Sequence, residues 1–426
     1  MTFSFNPDEF IVEEIASDGT IFEIDKEIPS IGGIPSNPAG GKNEFSWFIL
    51  QKRGWNTQQA LEALAKKIGV SKPRFNSAGT KDRNATTTQL CSVFGVPPER
   101  ILGTHVKDVK INGAWPASEK IKMGNLAGNR FTVMLNRANC GIDVDFGDIG
   151  NKAGDKGDEI TNYFGSQRFG SLRGNTHLVG YDILLGDCKA AAINFLCCCG
   201  QTQNQSEIRN GEIAARKKLE GEMDFSKALE YFPRWLKYER AMLHHLSKLP
   251  NDFVGAIRTL PRPIALFFIH AAQSDIFNSA LAAREKAGKL KTPNCGEKFL
   301  PFGKHGFPNE SGQIWIEKSN IEEIEGKIGN EEGVIAGGIV GYETNPADGF
   351  TKAACAERGI SSQTFLIKSM PELSSKGGFR PLWVRAAGFD AHRQAGGAAK
   401  ISFSLPSGSY ATVALGQILH NQAWNE

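Results

Sequence analysis

The chain has almost no net charge. Its 49 lysines and arginines face 46 aspartates and glutamates, which leaves +3 over 426 residues, so no global basic field announces a polyanionic partner. A nucleic-acid surface would have to come from local clustering. Also missing is any apolar run near the ~18 residues of a membrane-crossing helix. The start, MTFSFNPDEFIVEEI, lacks the basic head, apolar stretch and small-residue cleavage site of a secretory leader. A soluble, cytoplasmic protein with no membrane partner is therefore expected. Eight cysteines occur, at 91, 140, 188, 197, 198, 199, 295 and 355, without a single C-x-x-C pair. No metal site is expected from them, only reduced thiols packed as small hydrophobes.

What is present suffices for a folded chain, with 40% hydrophobic and 22% charged residues. The length exceeds that at which one hydrophobic core stops growing, so two or more domains are expected. Phe10, Val12 and Ile15 suggest an early strand, and Glu44 to Leu50 a second. From Asn56 or Thr57, the apolar positions Ala60, Leu61, Leu64, Ala65 and Ile68 keep helical spacing up to Gly69, a good terminator. Leu90 to Val96 reads as a buried strand, and Lys120 to Asn136 as strand, turn, strand. From about Glu212 to Leu290 the pattern is helical. It then becomes Gly-rich, with short strand signals at Gln313 to Ile316 and Val334 to Tyr342. The end, KISFSLPSGSYATVALGQIL, alternates like the first third, which suggests a middle domain inserted into a discontinuous first one.

Two stretches carry chemistry. In SAGTKDRNATTTQL, residues 77 to 90, one carboxylate, Asp82, stands between Lys81 and Arg83 among small and hydroxylated residues. As a turn residue, Asp82 would accept nearby backbone N–H groups. As a nucleophile or base it would be kept ionised by a cation. In NYFGSQRFG, residues 162 to 170, three aromatics, one arginine and two amides suit a surface that stacks on a flat ring; the same residues also suit a strand-to-helix corner with Tyr163, Phe164 and Phe169 in the core. Other features are weaker. GGIPSNPAGGKNE has Ser36 where a phosphate loop needs its first glycine and Asn43 where it needs Ser or Thr. His244 and His245 point to different faces of a helix. Cys197 to Cys199 end an apolar run and read as packing.

SAGTKDRNATTTQ resembles the Gly-x-Lys-Asp-x-x-Ala-x-Thr-x-Gln signature of the TruD family of tRNA pseudouridine synthases, with Gly79, Lys81, Asp82, Ala85, Thr87 and Gln89 in register. NPDEFIVEEI, GNLAGNRFTVML, NYFGSQRFG, THLVGYDILLGD, QSDIFNSALAAR and LPSGSYATV follow in the family's order. The resemblance implies an α+β fold: a pseudouridine-synthase catalytic domain with a mixed sheet and central cleft, from residues 1–170 and 380–426, and an inserted α/β domain at 171–379. It implies Asp82 as the catalytic residue and maps the family's other site positions onto Lys81, Asn162 and Glu14, the last with Glu13 as the neighbouring alternative. Phe164 would stack on the uracil. Arg168, Arg173, Arg380 and Arg385 are candidates for phosphate contacts.

The implied reaction breaks the N1–C1′ bond of a uridine in tRNA, usually uridine 13, turns the base and rejoins it through C5. No atom is gained and no redox change occurs, so the chemistry asks for neither cofactor nor metal. It asks for one carboxylate, to attack C1′ or to deprotonate C2′, and a flipped-out base. The small residues around Asp82 would leave room for that nucleotide, and Lys81 would hold the carboxylate charged or meet a phosphate. Two other classes compete. A glycoside hydrolase would need a second carboxylate within ~5–10 Å, with Glu14 the candidate, and a non-catalytic RNA-binding module would not need Asp82. The oligomeric state is not legible.

Overall fold

Strands with both faces covered read as near-continuous apolar runs, and β2 does so from Trp47 to Leu50, all buried. In the computed structural model the described residues are 3–32, 34, 44–140, 158–170, 173–198, 211–303, 305–344, 346–394 and 398–420. Most of GGIPSNPAGGKNE lies outside them, as does Cys199. The chain divides into two compact units, one drawn from Met1–Thr161, Phe302–Pro308 and Val384–Gln422, the other from Asn162–Pro301 and Asn309–Trp383. The sequence expectation set these boundaries at 170 and 380. The first unit's sheet ends one strand at Thr161, and Phe302–Pro308 belongs with that unit.

The first unit holds β1 (Phe10–Ile15), β2 (Phe45–Arg53), β3 (Phe75–Ser77), β4 (Thr86–Phe94), β5 (Val109–Ala117), β6 (Gly128–Leu135) and β7 (Asp158–Thr161). After an excursion through the second unit, which contributes β8 (Lys298–Pro301), β9 (Ile314–Trp315), β10 (Gly333–Ile339) and β11 (Gly378–Pro381), the chain returns as β12 (Trp383–Arg393) and β13 (Ala399–Pro406). The order in the large sheet is β5-β2-β4-β1-β6-β13-β12-β7, with β3 also against β4. β1 and β4 run parallel, while β4 is antiparallel to both β2 and β3. The sheet is therefore mixed, and the fold is α+β.

The helix Thr57–Ile68 forms where the periodicity places it. The Asn56 side chain caps its first turn by accepting from the Gln59 N–H, and Gly69 closes it at φ 76°, the left-handed conformation that costs a glycine nothing. Ala60, Leu61, Leu64 and Ile68 bury themselves against Phe48, Leu50, Cys91 and Val93, with about 1.5–3 kcal/mol for each large side chain. The helix Ala411–His420 covers the other half of the sheet, where Leu415 and Ile418 meet Val133, Ile401 and Phe403. Two expectations change. β4 starts at Thr86 rather than Leu90, because the threonines pair with β1 and β2. Lys120 to Ala127 is not a strand; its Ile121 N–H is bonded by the Ser92 hydroxyl instead of a neighbouring ladder.

The second unit is helical around a four-stranded sheet ordered β11-β10-β8-β9. Its helices Thr176–Leu184 and Arg262–Lys286 approach so closely at Gly180 that a Cβ there would lie 2.1 Å from the Phe268 carbonyl oxygen. No helix among the described residues is long and apolar enough to cross a membrane. Gly180→Ala is expected to lose about 1–3 kcal/mol of stability through this backbone clash. Gly326→Ala, in a helix with nothing within 4 Å of the added atom, is expected to gain about 0.5–1 kcal/mol; urea unfolding of both variants checks the pair.

Candidate active site

Parallel β1 accompanies β4 only along Thr86–Thr88, and antiparallel β3 accompanies it from Cys91 to Val93. Between these partners the ladder lacks an acceptor for the Leu90 N–H. The Glu14 carboxylate, at the end of β1, supplies one at 3.0 Å. Burying a carboxylate requires a countercharge, and the Lys81 ammonium lies 3.0 Å from the other Glu14 oxygen, with their side chains 8% and 0% exposed. The contact is one of charge, without the alignment of a hydrogen bond. Lys81 Nζ donates instead to Asn129 Oδ1 at 2.5 Å. Lys81 thus turns inward to Glu14, and does not reach out to Asp82 or to a phosphate. Glu13, the alternative alignment, accepts from the Ile24 N–H and pairs with Arg130.

The loop between β3 and β4 is tied down through its backbone. The Lys81 N–H donates to the Thr57 hydroxyl at 2.9 Å, that hydroxyl donates to Gln89 Oε1, and Gln89 Nε2 donates to the Gly79 carbonyl at 3.0 Å. Thr57 and Gln89 are buried. The Asp82 carbonyl accepts from Lys52 Nζ at 2.9 Å, and Arg83 Nε donates to the Gly54 carbonyl at 3.2 Å. Asp82 itself is exposed, and among the described residues its carboxylate has no side-chain hydrogen bond. The turn reading of Asp82, a carboxylate accepting local N–H groups, is not what this loop does.

The hydroxylated run after the loop is also other than expected. Ala85 and Thr86 to Thr88 are buried, and Thr86 and Thr88 donate their hydroxyls to the Pro7 and Phe22 carbonyls. Through these hydroxyls they hold neighbouring segments. A cavity of about 480 Å3 does open at the ends of β1, β2, β4 and β5, lined by paired charges such as Arg53 with Asp8 and Lys110 with Asp25. Asp82 is not among its lining residues.

The second unit contains the Asn162 cluster. Asn162 Nδ2 donates to the Pro381 carbonyl at 2.9 Å, and its Oδ1 accepts from Arg380 Nη2 at 2.8 Å. Arg380 Nε also donates to the Asn162 carbonyl, and its guanidinium stands 4.1 Å from the Phe164 ring centroid. The ring is buried, edge-on to Phe277, while the Phe164 N–H and C=O are both held by the Asn278 amide. Tyr163 is buried too, and burial together with Glu285 pushes its hydroxyl far above the usual phenol range. Residues 162 to 164 thus form an interior corner.

The four arginines part ways. Arg380 is 7% exposed and belongs to that corner. Arg173 donates to the Phe195 and Cys198 carbonyls at the end of the helix Cys188–Cys197, and burial beside Arg216 lowers its guanidinium to about 10. Neither is placed as a free phosphate contact, since a guanidinium under the surface first satisfies its own backbone. Arg168 lies over Phe267 and donates to Ser274. Burial, and after it the Arg168 charge, lower the His270 imidazole to about 4. Arg385, in the first unit, lies over Phe302. Among the described residues no three His, Cys, Asp or Glu side chains gather as a metal-binding set would.

Lys52 was missed by the sequence reading, although its phase in β2 marks it. Phe48 and Leu50 face the helix Thr57–Ile68, and two residues on, a lysine takes the same face. It is 0% exposed.

A family model described as tRNA pseudouridine synthase D (TruD) matches residues 2–418. A Methanococcoides burtonii protein named "Probable tRNA pseudouridine synthase D" is 30% identical over 400 residues, 90% of this chain and 89% of that one. A Thermococcus onnurineus protein of the same name is 32% identical over 391 residues, 90% of this chain and 91% of that one. A crystal structure of a Methanosarcina mazei chain named as tRNA pseudouridine synthase D (TruD) superposes with a TM-score of 0.70 and 27% identity, covering 99% of this chain and 93% of its own.

Breaking the buried pair is expected to be costly in either direction. Glu14→Gln and Lys81→Met should each lose about 3–5 kcal/mol, and the double variant less than their sum; a double-mutant cycle by urea unfolding measures the coupling.

Proposed function

Starting from the premise that the chain belongs to the TruD family of tRNA pseudouridine synthases, isomerases that convert uridine to pseudouridine, we propose that it acts on uridine 13 of tRNA with Asp82 as the catalytic carboxylate. The observation that carries the assignment is the contrast at one loop. The backbone of residues 79 to 82 is bonded by Lys52, Thr57 and Gln89, and the Arg83 side chain reaches the Gly54 carbonyl, while the exposed Asp82 carboxylate has no hydrogen bond among the described residues. Rigid backbone under a free carboxylate is what an attack on one sugar carbon requires.

The N1–C1′ bond of the uridine breaks, the uracil turns, C5 bonds to C1′, the C5 proton leaves and N1 takes up a proton. Asp82 serves either by bonding to C1′, which the returning uracil then displaces, or by taking a proton from C2′ and giving it back. Both routes end with the carboxylate regenerated. Glu14, which accepts from the Leu90 N–H and lies against Lys81 inside the sheet, stands behind the loop as its support. A buried, paired Glu14 also argues against a glycoside hydrolase, whose second carboxylate must meet the sugar or its water. We assign uracil stacking to Phe164 and an orienting or base-binding role to Asn162 on the family signature alone.

Tritium release from C5-tritiated, unmodified tRNA tests the proposal. Wild type should release tritium and Asp82→Asn should lose at least about 10²-fold in turnover while still binding tRNA. A tRNA with cytidine at position 13 should give no release. Equal release by wild type and Asp82→Asn would remove Asp82 from the chemistry, and RNA binding without release from any tRNA would favour the binding-module reading.

A further inference from the structure

A lysine at position 52 is a costly choice. The strand face it continues, through Phe48 and Leu50, is core, and a leucine there would extend it. An ammonium in that place must find acceptors. Lys52 Nζ finds two backbone carbonyls, Trp55 at 2.6 Å and Asp82 at 2.9 Å. These come from separate loops, one leading into the helix Thr57–Ile68 and the other carrying the exposed carboxylate. Among the described residues no carboxylate lies within ion-pair distance of Lys52, and the neighbouring cation, Lys81, is already taken by Glu14.

We propose that Lys52 is the positioning residue for Asp82: its ammonium, clamped between the Trp55 and Asp82 carbonyls, holds the backbone from which the carboxylate projects, and full turnover requires that ammonium to be protonated. This rests on the reading of Asp82 as the catalytic group. A charged donor makes the shorter, stronger bond to a carbonyl, and loss of the proton weakens it.

Several groups bear on the ammonium. Burial lowers it most, Asp82 raises it, Lys81 lowers it, and the Cys91 thiol on the facing strand raises it slightly, leaving it at about 8. Arg83, on the same loop, donates to the Gly54 carbonyl. The sign follows: below about 8 Lys52 is charged and the loop is held, and above it the clamp weakens.

The experiment is the pH dependence of kcat and KM for unmodified tRNA, from neutral to alkaline, in wild type, Lys52→Met, Lys52→Arg and Asp82→Asn. Wild-type kcat should fall on the alkaline side with a midpoint near 8, the value set by the buried amine. Lys52→Met should lose about 10²-fold in kcat, keep KM for tRNA, and show no alkaline fall. Lys52→Arg, charged at every accessible pH, should move the fall to higher pH. A flat wild-type profile would overturn the proposal, as would a fall unmoved in Lys52→Arg or a wild-type kcat in Lys52→Met. So would a parallel loss of KM, kcat and thermal stability in both variants, which is a purely structural role. If Lys52→Met does not fold, the wild-type and Lys52→Arg profiles decide. An active Asp82→Asn would instead overturn the reading of Asp82 itself.

Discussion

The Lys81–Glu14 ion pair sits where β4 exchanges one partner strand for another, and the local structure depends on it. A parallel neighbour stops at Thr88 and an antiparallel one starts at Cys91. A ladder interrupted inside a sheet leaves a buried N–H without an acceptor, which costs about 1–3 kcal/mol. Glu14 fills that gap, and its charge in turn demands Lys81. Because Lys81 is drawn inward, the next residue in the loop is turned outward. The exposure of Asp82 is thus a consequence of where its neighbour's charge must go.

The same economy of buried cations recurs in the second unit. Arg173 answers the carbonyls at the end of the helix Cys188–Cys197, and Arg216 joins it there, donating to the Phe195 and Leu196 carbonyls and pairing with Glu239. Arg380 ties Asn162 to Tyr163 and Phe164, and Arg284 pairs with Glu297 while donating to the Lys289 carbonyl. Each guanidinium has five donors in a fixed fork, which suits it to gather several carbonyls at a chain crossing. In a chain with a formal charge of +3, a basic residue in a family motif is therefore as apt to hold the fold as to meet RNA.

Much of the fold was legible because its signals are local. The helix Thr57–Ile68 was readable from its apolar spacing, with Asn56 and Gly69 at its ends, and β1, β2 and β13 from strand patterning. The start of β4 was not, since three threonines read as loop until they are seen between two partner strands. Nor was the inward path of Lys81. Its place beside Asp82 in sequence suggests a partner for that carboxylate or for a phosphate, whereas in the fold its ammonium meets Glu14 and Asn129.

Sequence alone determined the family, the likeness of order from NPDEFIVEEI to LPSGSYATV, and Asp82 as the residue to ask about, because motifs are strings and survive without coordinates. Tertiary structure decided which charges meet. Glu14 and Lys81 lie far apart in the chain, as do Lys52 and Asp82, and only the pairing of β1 and β2 with β4 brings them together. The physical reason is that a buried charge is stable only against a partner of fixed geometry, and that geometry belongs to the sheet rather than to any one segment.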